Sequence, residues 1–174
     1  MAMSDLSKAG IIFKQGLTIA SKTTVADLEK ACGATFSDDY KEFLENVNGA
    51  RIALKDSDAK RVPSANINWV SANFLHQAQE FVGVDYIYDK DTALKVYRNM
   101  RHYPIGQVFP VAAANNNTCF VMSLNEKDKG TIKAVRVYTE GSHNIMGSVI
   151  VCTSLPIAKN VTDFFLSLKS VKRS

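Results

Sequence analysis

The sequence lacks the features that mark a secreted, membrane-spanning or zinc-binding chain. Its three cysteines, Cys32, Cys119 and Cys152, are odd in number and far apart, so neither a disulfide framework nor a paired-cysteine zinc site is expected. The longest apolar runs, such as residues 147–152, fall far short of the roughly 20 residues that cross a bilayer. The N-terminus has no basic group followed by an apolar stretch, as a signal peptide would have. We expect a cytoplasmic protein with buried free thiols.

An excess of charge of one sign is also lacking. The net charge is +4, and three of the cations, Lys169, Lys172 and Arg173, lie in a basic tail at residues 169–174. Without these three, 18 of the 21 basic residues remain against 17 acidic ones. Proteins that bind nucleic acid usually present a basic face, so we expect no direct contact with nucleic acid. We interpret the tail as a solvated helix end, where cations suit the helix dipole.

Catalytic and cofactor-binding motifs are missing. His76, His102 and His143 show no metal-ligand spacing, and no Walker loop, dinucleotide fingerprint or G-x-S-x-G elbow is present. We therefore predict no enzyme activity, no catalytic residue, no metal and no cofactor. A nucleophile pair of Cys119 with His102 or His143 stays open as an alternative, although the apolar neighbours of Cys119 favour a buried strand position.

One acidic cluster has a spacing that resembles a metal loop. Asp85, Asp89 and Asp91 lie within seven residues of one another. Calcium loops need oxygen ligands that converge around an enforced turn, usually at a glycine, and this segment has no such glycine. We predict solvated carboxylates at a helix N-terminus instead.

The chain does contain one well-defined helical segment, TFSDDYKEFLENVNGA, at residues 35–50. Ser37 is a suitable N-cap whose hydroxyl can accept a backbone N–H bond, and Asp38 and Asp39 suit the positive end of the helix dipole. An Asn-Gly pair ends the helix, because Gly49 tolerates the left-handed conformation of a C-terminal cap. The apolar positions recur at helical spacing and predict one buried stripe: Tyr40, Phe43, Leu44 and Val47.

The remaining elements alternate between helical and extended patterns. A capping box at Thr24 predicts a helix to about Cys32, and Asp91 is the expected N-cap of a helix through Met100. Residues 55–64 are polar and predict an exposed loop, whereas residues 72–81 have mixed periodicity in which a helical face is one interpretation. Residues 11–13 are interpreted as a short strand or as an N-terminal segment that packs on the body. Further segments are assigned as follows: strands at 51–54, 67–70, 104–112, 118–124, 131–139 and 145–153, turns at 115–117, 125–130 and 141–144, and a helix at 161–168.

This order predicts the fold class. Two helices, a strand region, a helix, an antiparallel meander and a final helix form an α+β domain with a central antiparallel sheet and flanking helices. The length suits a single domain over residues 1–174. Its core is expected at about residues 24–168, with an N-terminal extension at 1–22.

The motifs resemble those of the SMI1/KNR4 family of the SUKH superfamily. A short helix ending at Gly33 precedes an acidic-Tyr-Lys-x-Phe-Leu helix ending on Asn-Gly. A Pro-Ile-Gly strand start follows at Pro104, then an Asn-rich turn at 115–118 and a Phe-rich end at 161–166. The resemblance implies a SUKH-like fold and a bacterial immunity protein, which neutralises a cognate polymorphic toxin, commonly a nuclease, by direct binding.

Two other functions stay open. One is a regulatory scaffold like the eukaryotic branch of the family, which is linked to cell-wall signalling. The other is a small-ligand binder or an enzyme that uses a pocket near Cys119 and His102. The oligomeric state is left open.

The predicted partner surface combines acids with aromatic and arginine residues. Inhibitors of nucleases often present an acidic face, and aromatic residues and Arg dominate protein–protein hot spots. Residues 86–88 are the best aromatic candidates for exposure, because acids flank them on both sides. The predicted partner-binding residues are Asp38, Asp39, Glu42, Glu45, Trp69, Tyr86, Tyr88, Asp89, Asp91, Arg98 and Arg101.

Overall fold

The computed structural model describes residues 3–15, 21–55, 57–58, 60–69, 78–115, 117–140 and 149–172, which form five helices and nine strands. The helices are α1 (Met3–Lys8), α2 (Val25–Cys32), α3 (Asp38–Asn46), α4 (Lys90–Met100) and α5 (Val161–Ser167). The strands are β1 (Ile11–Gln15), β2 (Ala50–Leu54), β3 (Arg61–Trp69), β4 (Ala78–Ile87), β5 (Val108–Ala114), β6 (Thr118–Ser123), β7 (Ile132–Glu140), β8 (Val149–Ala158) and β9 (Lys169–Lys172). Within these residues, no helix has the length and apolar character needed to cross a bilayer.

The strands form one antiparallel sheet. Its order is β1-β2-β4-β5-β6-β7-β8, and β3 joins it by pairing with β4 and with β9. The predicted α+β class, with a central antiparallel meander and flanking helices, is confirmed. The N-terminal segment is part of this sheet, because β1 pairs with β2 along its whole length.

The two faces of the sheet carry separate apolar clusters. Along β6, Phe120 belongs to the large core and its neighbour Val121 to a small second cluster, as the alternation of side chains along a strand requires. Helices α2, α3 and α5 fill the large core. Helix α4 contributes to both clusters, Ala93 to the large one and Met100 to the small one. The end of α4 therefore reaches the sheet face opposite the helix layer.

Helix α3 has the predicted buried stripe, but its caps differ from expectation. Tyr40, Phe43, Leu44 and Val47 are each at most 2% exposed. The Ser37 side chain makes no capping bond, and its hydroxyl donates instead to the sulfur of Met122 at 3.6 Å. The residue that caps the end of the helix, Val47, has an extended conformation, and the left-handed residue, Gly49, follows two positions later.

The start of α2 follows the sequence pattern closely. The Thr24 hydroxyl accepts from the backbone N–H of Asp27, and the Asp27 carboxylate accepts from the N–H of Thr24. Gly33 then ends the helix with φ +65°. The predicted capping box and its glycine stop are confirmed.

Four predictions from local sequence were wrong or partly wrong. The last four residues of the predicted loop at 55–64 belong to β3, where Pro63 and Ser64 are buried because the strand lies between β4 and β9. Residues 78–81 are strand rather than helix, and the rest of that ambiguous stretch lies outside the described residues. Asp89, not Asp91, caps α4. The basic tail forms β9 rather than a helix end.

The second half of the chain follows prediction more closely. Strands β6 and β7 and the turn between them lie where the patterns place them, and α5 begins at the predicted Val161. Strand β5 begins at Val108, four residues later than expected. Strand β8 is described from Val149 onward, so the predicted turn at 141–144 and the first part of the predicted strand lie outside the described residues.

Candidate partner-binding surfaces

The corner between α3 and β2 is a closely packed junction with the start of α4. The side-chain oxygen of Asn48 accepts the backbone N–H of Lys90 at 2.9 Å. At Gly49, φ is +80°, and a Cβ there would overlap the hydroxyl of Tyr86 and lie 2.9 Å from the Cβ of Asp89. The Asn48-Gly49 pair therefore holds the corner after α3 against the start of α4, which is a structural role.

The carboxylates at the start of α4 are engaged in local bonds. Asp89 accepts from the backbone N–H of Thr92 at 2.9 Å and from its hydroxyl at 2.7 Å, and the hydroxyl of Tyr86 donates to it at 3.3 Å. Asp91 accepts the hydroxyl of Thr23, and this hydrogen bond lowers the pKa of the Asp91 carboxyl. No group of three metal-ligating side chains occurs among the residues that the structure describes.

The predicted acidic surface of α3 divides into structural and exposed carboxylates. Asp39 accepts from the backbone N–H groups of Val161 at 3.1 Å and Thr162 at 3.4 Å, at the start of α5. Asp38 and Glu45 are exposed. Since a carboxylate at a helix start satisfies N–H groups that have no partner within the helix, Asp39 connects α3 to α5 rather than facing a partner.

Trp69 belongs to a cluster on the helix side of the sheet. Its ring is 8% exposed, and its indole N–H donates to Glu80 at 3.0 Å. The guanidinium of Arg136 lies 4.5 Å from the ring centroid and bonds to the same Glu80 carboxylate at 2.8 Å. A cation over an indole face is a stabilising arrangement. The indole is therefore enclosed by this cluster.

The tyrosines of β4 are less exposed than the sequence predicted. Tyr86 and Tyr88 are half-buried, and Ile87 between them is 1% exposed. Burial raises the pKa of the Tyr88 hydroxyl to about 12, with the nearby Cys119 thiol as a smaller cause. Residues 86–88 therefore pack mainly within the fold, because this end of β4 pairs with β5 on one side and with Ala50 of β2 on the other.

The alternative site at Cys119 and His102 is not supported by the geometry. Burial raises the pKa of the Cys119 thiol to about 12, whereas a nucleophilic cysteine needs a lowered pKa. His102 is exposed beyond the end of α4. No hydrogen bond joins the two side chains in the part of the chain that is described. His143, the other predicted partner, lies outside that part.

Helix α4 presents cations on its outer side. Lys95, Arg98 and Arg101 are exposed at three-residue spacing, so they lie on neighbouring turns of one helix surface. None of the ion pairs among the described residues includes them. Lys95 was missed from the sequence, although its spacing from Arg98 and Arg101 is readable there.

A small pocket lies beside this basic surface. It has a volume of about 120 Å³ and opens between the end of α4, the end of α2 and the residues before β5. The hydroxyl of Tyr97 and the thiol of Cys32 lie close enough at its wall to influence each other's pKa. The lining residues are Cys32, Tyr97, Met100, Arg101, Gly106, Gln107, Val108 and Leu124.

The predicted partner residues therefore do not form one patch. Asp39, Trp69, Tyr86, Asp89 and Asp91 make specific bonds within the fold, and Glu42 and Tyr88 are half-buried. The remaining four are exposed and lie on or next to two separate helices, and α2 packs against both of these helices. They are Asp38 and Glu45 on α3, Arg98 on α4 and Arg101 directly after α4.

The fold and these surfaces define an α+β domain with exposed charges on helices α3 and α4. A sequence model of the SMI1 / KNR4 family (SUKH-1) matches residues 19–167 of the 174 residues. The chain belongs to this family, as its motifs predicted. No curated protein and no solved structure matches the chain.

Proposed function

We propose that this chain is a non-catalytic binding protein of the immunity type, which neutralises a cognate toxin in a bacterial cell by direct contact. The observation that carries this proposal is membership of the SMI1 / KNR4 family (SUKH-1) over residues 19–167. Immunity function is what the family resemblance implies. The toxin is a separate protein, and the chain needs no cofactor to bind it.

The chemistry of the polar side chains favours binding over catalysis. Cys32 and Cys119 have thiol pKa values raised to about 12 by burial, so both are protonated at neutral pH. The carboxylates of Asp39 and Asp89 are held by backbone N–H groups at helix starts. Groups with these roles stabilise the fold. The recognition of the partner is therefore attributed to complementary charges on the exposed surface.

The helix layer is the proposed contact surface. It presents the acids Asp38 and Glu45 on α3 and the cations Lys95 and Arg98 on α4, with α2 between them. A partner with charges in the opposite order would be steered into one orientation, since complementary charges set encounter rate and register. The α3 acids suit the basic substrate-binding face of a nuclease.

Co-expression with the toxin tests the proposal. The effector domain of the toxin encoded next to this chain is induced in a bacterial host, with and without the chain. Growth should be restored when the chain is present. Persistent killing despite soluble expression of the chain would overturn the proposal.

One charge reversal and one control substitution test whether α3 is part of the contact surface. Glu45→Lys should weaken protection, because it reverses an exposed charge on α3. Asn66→Lys is the matched control, since Asn66 is exposed on β3 between two buried residues that face the large core. Equal protection by both variants would exclude the α3 acids as the contact surface.

A further inference from the structure

The pocket beside α4 combines an apolar floor with a cationic rim. Met100, Val108 and Leu124 are buried apolar residues of its lining, whereas Arg101 and Gln107 are exposed. A 150 Å³ cavity accommodates benzene, so a volume of about 120 Å³ admits a side chain of about five non-hydrogen atoms. The pocket therefore has the size for one inserted side chain.

The charge around the pocket is positive and uncompensated. Arg101 has no ion pair among the described residues, and Arg98 and Lys95 add two further exposed cations on the adjacent turns. One acid, Glu29, is close enough to the pocket to raise the pKa of the Cys32 thiol. Its carboxylate already accepts the backbone N–H of Phe36 at 2.7 Å and lies 3.4 Å from Lys41.

The other polar groups of the pocket do not repel an anion. Burial raises the pKa values of Cys32 and Tyr97, so both are neutral at pH 7. A carboxylate at the rim would meet the guanidinium of Arg101, which forms strong paired hydrogen bonds with carboxylates.

We propose that this pocket is an anchor site for a glutamate side chain of a protein partner, with its methylene groups over Met100, Val108 and Leu124 and its carboxylate on Arg101. Glutamate fits because its side chain has five non-hydrogen atoms and combines an aliphatic stem with a charge. The inference deepens the proposed function and rests on it, since it names the chemistry of the partner at the α4 end of the helix layer. The partner surface there is acidic.

Titration with a capped amino acid tests the site without the partner. The probe is N-acetyl-glutamate-methylamide, and N-acetyl-glutamine-methylamide is the neutral control of the same shape. Two-dimensional NMR follows the backbone amides of Gly106 and Gln107 and the Nε–H of Arg101. The glutamate probe should cause saturable shifts at these groups with millimolar affinity, and the glutamine probe should not.

Two arginine variants separate the pocket from general surface charge. Arg101→Gln should abolish the shifts at Gly106 and Gln107, whereas Arg51→Gln, at an exposed arginine on β2, should leave them unchanged. Absent saturation, equal shifts with both probes, or unchanged binding by Arg101→Gln would each overturn the inference.

The outcome is separable from that of the toxin experiment. If the probe binds but the chain gives no protection, the immunity proposal fails and the anchor site stands. If the chain protects but the probe does not bind, the toxin is recognised elsewhere and the anchor site fails.

Discussion

Gly49 is the residue on which the junction between α3, β2 and α4 depends. Its φ of +80° disfavours any side chain, and the space where a Cβ would lie is occupied by Tyr86 and Asp89. Gly33 has a similar φ of +65°, but no atom lies within 4 Å of its Cβ position. A substitution at Gly33 therefore tests backbone strain alone, whereas a substitution at Gly49 tests strain together with steric overlap.

We expect Gly33→Ala to cost about 1 kcal/mol of unfolding free energy, the usual strain of a left-handed residue. Gly49→Ala should cost about 3 kcal/mol or more, because overpacking adds to that strain. Urea denaturation of the two variants and the parent measures the difference. Similar values for the two variants would show that the junction relaxes to admit a methyl group.

Cys119 gives a pH-dependent test of the buried-thiol interpretation. A thiol with a pKa of about 12 is ionised roughly a thousandfold less at pH 8 than an ordinary thiol of pKa about 9. We therefore expect native Cys119 to react with iodoacetamide about a thousandfold more slowly than the same residue in the denatured chain, with the rate rising as the pH approaches 12. Peptide mass spectrometry measures the rate. Fast labelling at pH 8 would restore the alternative of a reactive cysteine site.

At the scale of elements, adjacent residues of one helix have different roles. Asp38 and Asp39 are both acids in the first turn of α3, and the sequence gives them the same interpretation. The structure turns Asp39 toward the start of α5 and leaves Asp38 exposed, 4.0 Å from Lys41. The distinction depends on where α5, more than 120 residues away in the chain, packs against α3.

Asp39→Ala should therefore destabilise the protein by about 1–2 kcal/mol, the usual effect of losing a helix-capping carboxylate. Asp38→Ala is the matched control and should change stability by less than about 0.5 kcal/mol, as exposed ion pairs contribute little. Thermal and urea unfolding measure both. An equal effect of the two substitutions would contradict the helix-linking role of Asp39.

The elements that were predicted well from the sequence are those stabilised by residues close to one another in the chain. The capping box of α2 and the apolar stripe of α3 depend on residues within one or two turns. The first part of β3, residues 61–64, was assigned to a loop because it pairs with β9, the last strand of the chain. Trp69 was assigned to a surface because its partner Arg136 lies 67 residues away in the sequence.

At the scale of the whole molecule, we propose that the partner is recognised by the helix layer. The sheet organises the core, and the exposed charges of α3 and α4 lie on either side of α2. The family was readable from the order of motifs, whereas the pocket was not, because its lining comes from α2, α4, the segment before β5 and the residue after β6. Its assembly depends on the tertiary fold.

Calorimetric titration of the purified chain with a catalytically inactive effector domain of the toxin that we propose as its partner tests direct binding. We expect a saturable complex with a Kd in the nanomolar range or tighter, which Glu45→Lys weakens and Asn66→Lys does not. No heat of binding at micromolar concentrations of two folded proteins would contradict it.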